Sequence, residues 1–418
     1  MLTFLHAADI HLDSPLSGVA KYDGAPVDEI RGATRRALEG LVTTAIREAV
    51  AFVVIAGDLY DGDWRDCNTG HFFIAQMVRL QEANIPVYLV AGNHDAASRM
   101  SRSLPLPENV HVFATTAPHT YLLDEVQVAL HGQSFETQCT TSDLASNYPP
   151  PVPGYFNIGV LHTSLSGRPG HASYAPCSEA CLRAKGYDYW ALGHIHHREI
   201  LGEDPTIAYP GNIQGRHIRE TGPKGCLLAT IAEDRAVETR FQALDVFRWE
   251  AVDVDLTGVA EAEQVLGGVA TEIRAAVSQA EGRPLVIRLT LSGATPLHRS
   301  IQADQRQLIE DIRAIAADAG AGRVCIERLR VRVTAPALAL ASRDALEGPL
   351  QEIGRLVAEL RSTAEMRDDF AREFSELIRK LPPDLADSLA LSDDDWWKEV
   401  LDEAEAQLVT RLGGTCAD

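Results

Sequence analysis

No stretch of the 418 residues stays apolar for the roughly 20 positions that a transmembrane helix requires, so no membrane span is expected. The apolar start, Met1 to Leu5, has no basic segment ahead of it and is broken by His6 and Asp9, so no export signal is expected either. Cysteine is sparse. The seven (Cys67, Cys139, Cys177, Cys181, Cys226, Cys325 and Cys416) are odd in number and scattered, and Cys177 and Cys181 do not form a CxxC pair. This speaks against a disulfide framework and for reduced thiols in a cytoplasm. Internal repeats are absent. Positive charge is also short: 38 Lys and Arg against 59 Asp and Glu leave a net charge of -21. Spread evenly, that deficit would oppose binding to a phosphate backbone, whose affinity comes from the cations that neutralise it. It is concentrated instead in residues 341–418, where 19 acidic and 9 basic side chains give a net of -10. Exposed charges more than about 10 Å apart are largely screened, so an acidic tail leaves a distant face free to be locally positive.

The chain is too long for one ordinary core, and two or three domains are expected. Leu2 to Ala8, Ala51 to Ala56 and Ile85 to Ala91 are short apolar runs that read as buried strands. Between them, Leu38, Leu41, Val42, Ala45 and Ile46, then Phe72, Phe73, Met77 and Leu80, recur at helical spacing. This is β-α-β-α-β with parallel strands. Phe156 to Leu161 and Tyr187 to Leu192 repeat the arrangement. A first boundary falls near Phe241 to Arg248. Beyond it, Val252 to Leu256, a helix within 259–280, Pro284 to Leu291, a helix from Ile301 to Ala319 and Val324 to Val333 outline a small α+β domain. From about Ala341 only helices are expected, with apolar stripes at Leu346, Leu350, Ile353, Val357 and Leu360, at Met366, Phe370, Phe374, Leu377 and Ile378, and at Trp396, Trp397, Val400, Leu401, Leu408 and Val409. The expected domains are 1–243, 244–338 and 339–418.

Each apolar run of the first domain ends in a polar cluster: Asp9-Ile10-His11, Gly57-Asp58-Leu59-Tyr60-Asp61, Gly92-Asn93-His94-Asp95, Leu161-His162-Thr163 and Gly193-His194-Ile195-His196. Any one of them alone is more often a hydrogen-bonded surface pair or a turn. Five in series, at strand ends where α/β sheets gather their ligands, point to a two-metal hydrolytic centre. Two ions a few ångströms apart need a bridging oxygen, and Asp58 after Gly57 is the natural one. Asp9 and His11 alternate along a segment read as extended, which would aim both at one ion, and His194 and His196 are read the same way. Asn93 and His162 complete a mixed N/O set suited to manganese, iron or zinc rather than calcium.

These motifs, DxH, GDxxD, GNHD, H and GHxH, resemble those of the calcineurin-like metallophosphoesterases. Through residues His6 to Asp13 and the run Tyr209-Pro210-Gly211-Asn212-Ile213-Gln214-Gly215-Arg216-His217, the chain more closely resembles bacterial SbcD-type DNA repair exonucleases of the YhaO-like branch. The resemblance implies a four-layer αββα sandwich, then a small α+β capping domain and a helical C-terminal segment. It implies one ion held by Asp9, His11, Asp58 and His196, and a second by Asp58, Asn93, His162 and His194. His94 would protonate the leaving oxygen, oriented with help from Asp95. The implied activity is a manganese-dependent DNA exo/endonuclease with an SbcC-type coiled-coil ATPase held by the C-terminal helices, and a homodimer fits the same pattern. Asp61 departs from archaeal and eukaryotic relatives, which carry histidine there, and this leaves exonuclease polarity open. A phosphatase, a cyclic-nucleotide phosphodiesterase or a non-catalytic scaffold are the competing readings.

Substrate contact is expected at Asp61, Arg216, His217 and Arg219, and at Arg328, Arg330 and Arg332, which alternate with Leu329, Val331 and Val333 on a strand. A solvated loop and a solvated sheet face are the bland readings of the same residues. His6, His71, His111, His119, His131, His171 and His298 match no motif and read as ordinary polar or packing residues.

Overall fold

Period-two alternation explains why the apolar runs become strands buried on both faces. In β2 (Val53–Ala56), Val53 and Ile55 join one core, while Val54 and Ala56 join another on the opposite face. The chain is described by a computed structural model covering residues 1–14, 30, 32–62, 67–97, 105–165, 174–336 and 349–362, with isolated positions at 372, 400, 401 and 404. It divides into two compact units. The first comprises Met1–Ala251, Ala276–Arg288 and Gly320–Glu327, and the second Val252–Ala275, Leu289–Ala319 and Arg328–Asp418.

The first unit holds two six-stranded sheets. In one, β1 (Leu2–Ala7), β2, β3 (Val87–Val90) and β4 (Val110–Val112) run parallel, and β11 (Gly225–Ile231) and β12 (Val237–Ala243) extend the β1 edge antiparallel, giving the order β12-β11-β1-β2-β3-β4. The other has the order β5-β6-β7-β8-β10-β9. There β6 (Val128–Gly132), β7 (Phe156–His162), β8 (Tyr189–Gly193) and β10 (Thr206–Tyr209) are parallel, flanked by antiparallel β5 (His119–Leu123) and β9 (Glu199–Glu203).

Helices α1 (Ala33–Arg47) and α2 (Asn68–Glu82) lay Ala37, Leu38, Leu41, Val42, Phe73, Met77 and Leu80 on the outer face of the first sheet. Between the sheets, Phe4, Phe52, Val54, Tyr88, Leu130, Ile158, Val160 and Tyr189 interdigitate, with Phe4 stacked on Phe52 at 5.0 Å. Outside the second sheet, Trp190, Leu192, Ile207 and Tyr209 pack with Leu182 of α4 (Glu179–Ala184). This is the expected αββα sandwich. Each fully buried large apolar side chain contributes about 1.5–3 kcal/mol, so the three cores outweigh any single surface interaction. The clusters follow the carboxyl ends of β1, β2, β3, β7 and β8. A Cβ on Gly193 would run into the Ala56 carbonyl, so only glycine fits at that point between β2 and β8.

A third sheet, β13-β14-β15, is formed by β13 (Arg248–Asp255), β14 (Leu285–Ala294) and β15 (Val324–Thr334). The connections are α5 (Ala262–Gln279) and, where one helix is expected from Ile301, two: α6 (His298–Ala303) and α7 (Gln305–Ala319). The break falls at Asp304, whose φ of -125° and ψ of 52° leave the helical region. Of the expected C-terminal helices, the first appears as α8 (Pro349–Ser362), with Val357 buried. Apart from the isolated positions 400 and 401, the second and third stripes lie outside the described residues. Among the described residues no helix is long and apolar enough to cross a membrane.

Candidate metal centre

The segment after β1 is not extended. Asp9 and His11 have left-handed φ values of 50° and 45°, and so does Asp58 at 50°. Backbone strain of this kind costs on the order of 1–3 kcal/mol per residue and survives only where surrounding bonds impose it. Here they do: Asp9 N–H donates to Gly57 O at 3.0 Å, His11 N–H to Asp58 O at 3.0 Å and Leu12 N–H to Leu59 O at 2.9 Å. The two loops are zipped side by side, which brings Asp9 and His11 to one place without strand alternation. His194, with φ 94°, also breaks the extended reading of the last motif, and its two histidines part company. His196 joins Asp9 and His11, while His194 joins Asp58 and His162.

Their donor atoms converge. His11 Nε2 lies 3.2 Å from His196 Nε2, and His196 Nε2 lies 3.8 Å from Asp9 Oδ1. Asp58 Oδ2 stands 3.9 Å from His11 Nε2 and 3.4 Å from His162 Nε2, facing both groups, and Asn93 Oδ1 is 3.0 Å from His162 Nε2. Ligands about 2.1 Å from an ion are separated by roughly 3–4.3 Å from one another, so these spacings suit two coordination spheres sharing Asp58.

The electrostatics agree. Burial alone would lower His162, but the charge and hydrogen bond of Asp58, with the charge of Asp9, push it up to about 9. The pocket therefore stabilises positive charge, and a divalent ion meets that demand while taking the ring's lone pair. Burial and the nearby Arg216 drive His11 down to about 3, which keeps that ring neutral and able to ligate. The outer contacts select the same tautomer on both sides. His162 Nδ1 donates to the Ala56 carbonyl at 2.9 Å, and His196 Nδ1 donates to Glu220 Oε1 at 2.7 Å, so each Nε2 faces the cluster. A Cβ on Gly57 would strike the His162 ring, which explains the glycine before Asp58.

Asp58 Oδ1 accepts the His94 backbone N–H at 3.0 Å, at the start of the short helix α3 (Asn93–Ala97). The His94 ring is more open than the ligands, with 37% of its side chain exposed, and its Nδ1 lies 3.0 Å from Asp61 Oδ1. Burial opposes charge on this ring, but the Asp61 hydrogen bond and the charges of Asp58 and Asp61 outweigh it and raise His94 above the usual imidazole range. The orienting contact therefore comes from Asp61. The Asp95 carboxylate accepts the backbone N–H groups of Leu59, Tyr60 and Gly92 and so fixes the loop carrying Asp58. Burial and the Asp58 charge push Asp95 up to about 6.

Of the cations expected near substrate, Arg216 reaches the centre. Its guanidinium lies 3.4 Å from Asp61 Oδ1 and 3.7 Å from Glu220 Oε1, with 16% of the side chain exposed. His217 Nε2 is 3.4 Å from Glu220, and Arg219 is exposed, its backbone N–H on His217 Nδ1. Arg328, Arg330 and Arg332 belong to the second unit, with Arg328 and Arg332 exposed and Arg330 half-buried.

Three residues escaped the motif reading: Glu220, Ser14, whose hydroxyl donates to Asp61 at 2.7 Å, and Lys224, whose Nζ donates to the His196 carbonyl at 3.0 Å. Only Glu220 left a signal, as the sole acidic residue between Tyr209 and Gly225. His6 is also more than packing. It is fully buried between the sheets, with Nδ1 3.0 Å from the Tyr189 hydroxyl and Nε2 3.2 Å from Leu192 O.

Residues 2–198 match the calcineurin-like phosphoesterase family, and residues 249–334 match the middle domain of metallophosphoesterase YhaO. The chain is 36% identical over 302 residues to the uncharacterized metallophosphoesterase YhaO of Bacillus subtilis, covering 71% of this chain and 72% of that one. It is 23% identical over 420 residues to the DNA double-strand break repair protein Mre11 of Methanopyrus kandleri, covering 91% and 84% of the two chains. The Mre11 of Saccharolobus solfataricus is 26% identical over 220 residues, 51% of this chain and 54% of its own length.

Proposed function

The chain belongs to the calcineurin-like metallophosphoesterases and carries a YhaO-type middle domain, and from that premise we propose that it is a two-metal phosphodiesterase that cleaves DNA. The observation that carries the chemistry is the position of Asp58, its Oδ2 facing His11 on one side and His162 on the other, with His94 beside it. Asp9, His11, Asp58 and His196 would hold one ion, and Asp58, Asn93, His162 and His194 the other. Two divalent ions held there supply Lewis acidity toward a phosphoryl group and a water of lowered pKa. The N/O donor set suits manganese, with iron and zinc as alternatives.

The protein's own part is to hold the ligands in the metal-binding tautomer and to keep a proton on His94. Asp61 accepts from His94 Nδ1 and stabilises the imidazolium, which leaves the other ring nitrogen to protonate a departing oxygen. DNA as substrate is supported by the two Mre11 relatives and by the arginines of β15, which suit backbone contacts that position a duplex without reading its sequence. The C-terminal segment from about Ala341 would hold an SbcC-type coiled-coil ATPase, and truncation there should abolish co-purification with it.

The deciding experiment is manganese-dependent degradation of labelled duplex and single-stranded DNA by the full chain, compared with His94→Ala. A loss of about 10²–10⁴-fold in the variant is expected for removal of a general acid. No DNA cleavage alongside brisk hydrolysis of phosphomonoesters or cyclic nucleotides would overturn the choice of substrate.

A further inference from the structure

We propose that Glu220 is a positioning residue that fixes the His196 ring for the ion of the Asp9, His11 and His196 cluster, and that it makes the two metal sites unequal. This inference rests on the two-metal reading above. A carboxylate accepts hydrogen bonds and cannot donate them, so its 2.7 Å contact with His196 Nδ1 places the ring's proton on that nitrogen. The lone pair is then on Nε2, which faces His11 and Asp9. The carboxylate cannot rotate away, because Oε2 accepts from Asn212 Nδ2 at 2.8 Å and from the Arg216 backbone N–H at 2.7 Å. Glu220 is 5% exposed and Asn212 fully buried, so water cannot easily replace these partners.

In the second cluster, among the described residues, no carboxylate stands behind His162, whose Nδ1 meets the neutral carbonyl of Ala56. A charged acceptor raises the basicity of a ligating imidazole more than a neutral one does, and loss of such a partner typically costs about 10- to 100-fold in metal affinity. Glu220 also joins Arg216 and, through it, Asp61, so the ring of His196 and the ring of His94 are held from opposite ends of one chain of charges. Arg216 thereby acts first as a tie between two carboxylates.

The test is a calorimetric titration of the full-length protein with Mn2+ alone, with electron paramagnetic resonance of the bound ions, for the wild type, Glu220→Gln and Asn212→Ala. Glu220→Gln keeps the side-chain volume but removes the charge and turns an amide N–H₂ toward other donors. It should weaken one ion by about 10- to 100-fold while the other stays within about threefold. At one equivalent of Mn2+ it should show the uncoupled six-line signal of a single ion. Asn212→Ala, which loosens the carboxylate without removing its charge, should weaken the same ion by a smaller factor, and it answers the question if the first variant does not fold. Two ions bound as in the wild type in both variants, or equal weakening of both ions, would overturn the proposal alone. A wild-type chain that takes up fewer than two ions would instead remove the two-metal reading, and this inference with it.

Discussion

The two candidate ligand clusters, which would share Asp58, have different surroundings. Around His196 the supports are charged: Glu220, Arg216 and Asp61 lie within a few ångströms of one another, and 20% of the His196 side chain is exposed. Around His162 and His194 the described contacts include a backbone carbonyl and aromatic rings. The Ala56 carbonyl meets His162 Nδ1, the Phe135 ring stands edge-on to His162 at 5.6 Å, and Tyr174 stands edge-on to His194 at 5.3 Å. Where water can reach the ligands, a neutral hydrogen bond would be exchanged for one to solvent, and paired charges with fixed donors are needed to hold a ring still. At the fully buried His162, a neutral carbonyl and an edge-on ring stand where the charged partners of His196 stand.

Removing what the clusters share should have the largest effect. Asp58→Asn takes the common oxygen charge from both sides, and hydrolysis of a chromogenic phosphodiester with Mn2+ should fall on the order of 10³-fold or more, with loss of two-ion uptake. Retention of both ions and of a tenth of the activity would break the shared-ligand account. A smaller change is expected from Asp61→Asn, which touches only the charged side. Turnover should drop about 10- to 100-fold, the range typical for partners that orient a functional group. The direction in pH is also set. Asp61 raises His94, and as the proposed acid His94 would have to be protonated, so activity should be lost as pH rises through its pKa. Without Asp61, burial lowers that pKa and the alkaline limb of the turnover profile should move to lower pH. An unmoved limb would separate Asp61 from proton transfer.

The strands and helices that carry the ligands were legible in the sequence because hydrophobic period and strand-end polarity are local signals. β1, β2, β3, β7 and β8, with α1 and α2, fall where the apolar runs and helical stripes predict them. The seven residues named for the metals, with His94 and Asp95, also lie close together, because each lies at or after the carboxyl end of a strand that is parallel to its neighbour in its own sheet. What was not legible depends on three-dimensional register. Left-handed φ at Asp9, His11 and Asp58 comes from loop-to-loop bonds between residues almost 50 positions apart, and no local pattern encodes them. At His194 the distant partner is the Asp9 carboxylate, which accepts its backbone N–H at 3.0 Å. Glu220 and Ser14 matter only because of what they meet across the fold, and the antiparallel edge strands β5, β9 and β12 are short or largely polar, leaving little period to read.

The smallest predicted effect concerns His6, which joins the strands delivering both clusters without touching either. Its ring links β1, just ahead of Asp9, to Tyr189 and Leu192 of β8, just ahead of His194. Burial, only partly offset by the Leu192 carbonyl, pushes His6 down to about 3, so it is neutral in the fold. In the unfolded chain it titrates near 6.5, and below that pH the unfolded state binds a proton that the folded state refuses. Its contribution to stability is therefore complete above about pH 6.5 and declines as pH falls from there toward 3, by about 1.4 kcal/mol per pH unit. His6→Gln should cost about 1–3 kcal/mol at pH 7 through the altered hydrogen bonds, but it removes the titration. The gap between wild type and variant in urea midpoint should then narrow by the equivalent of about 1 kcal/mol between pH 6.5 and pH 5.5. Metal affinity at pH 7 should weaken alike for both ions, since the residue spans the two sheets. A gap that stays constant with pH would mean that the ring takes up a proton as readily in the fold as in the unfolded chain, and selective weakening of one ion would mean that it belongs to one cluster after all.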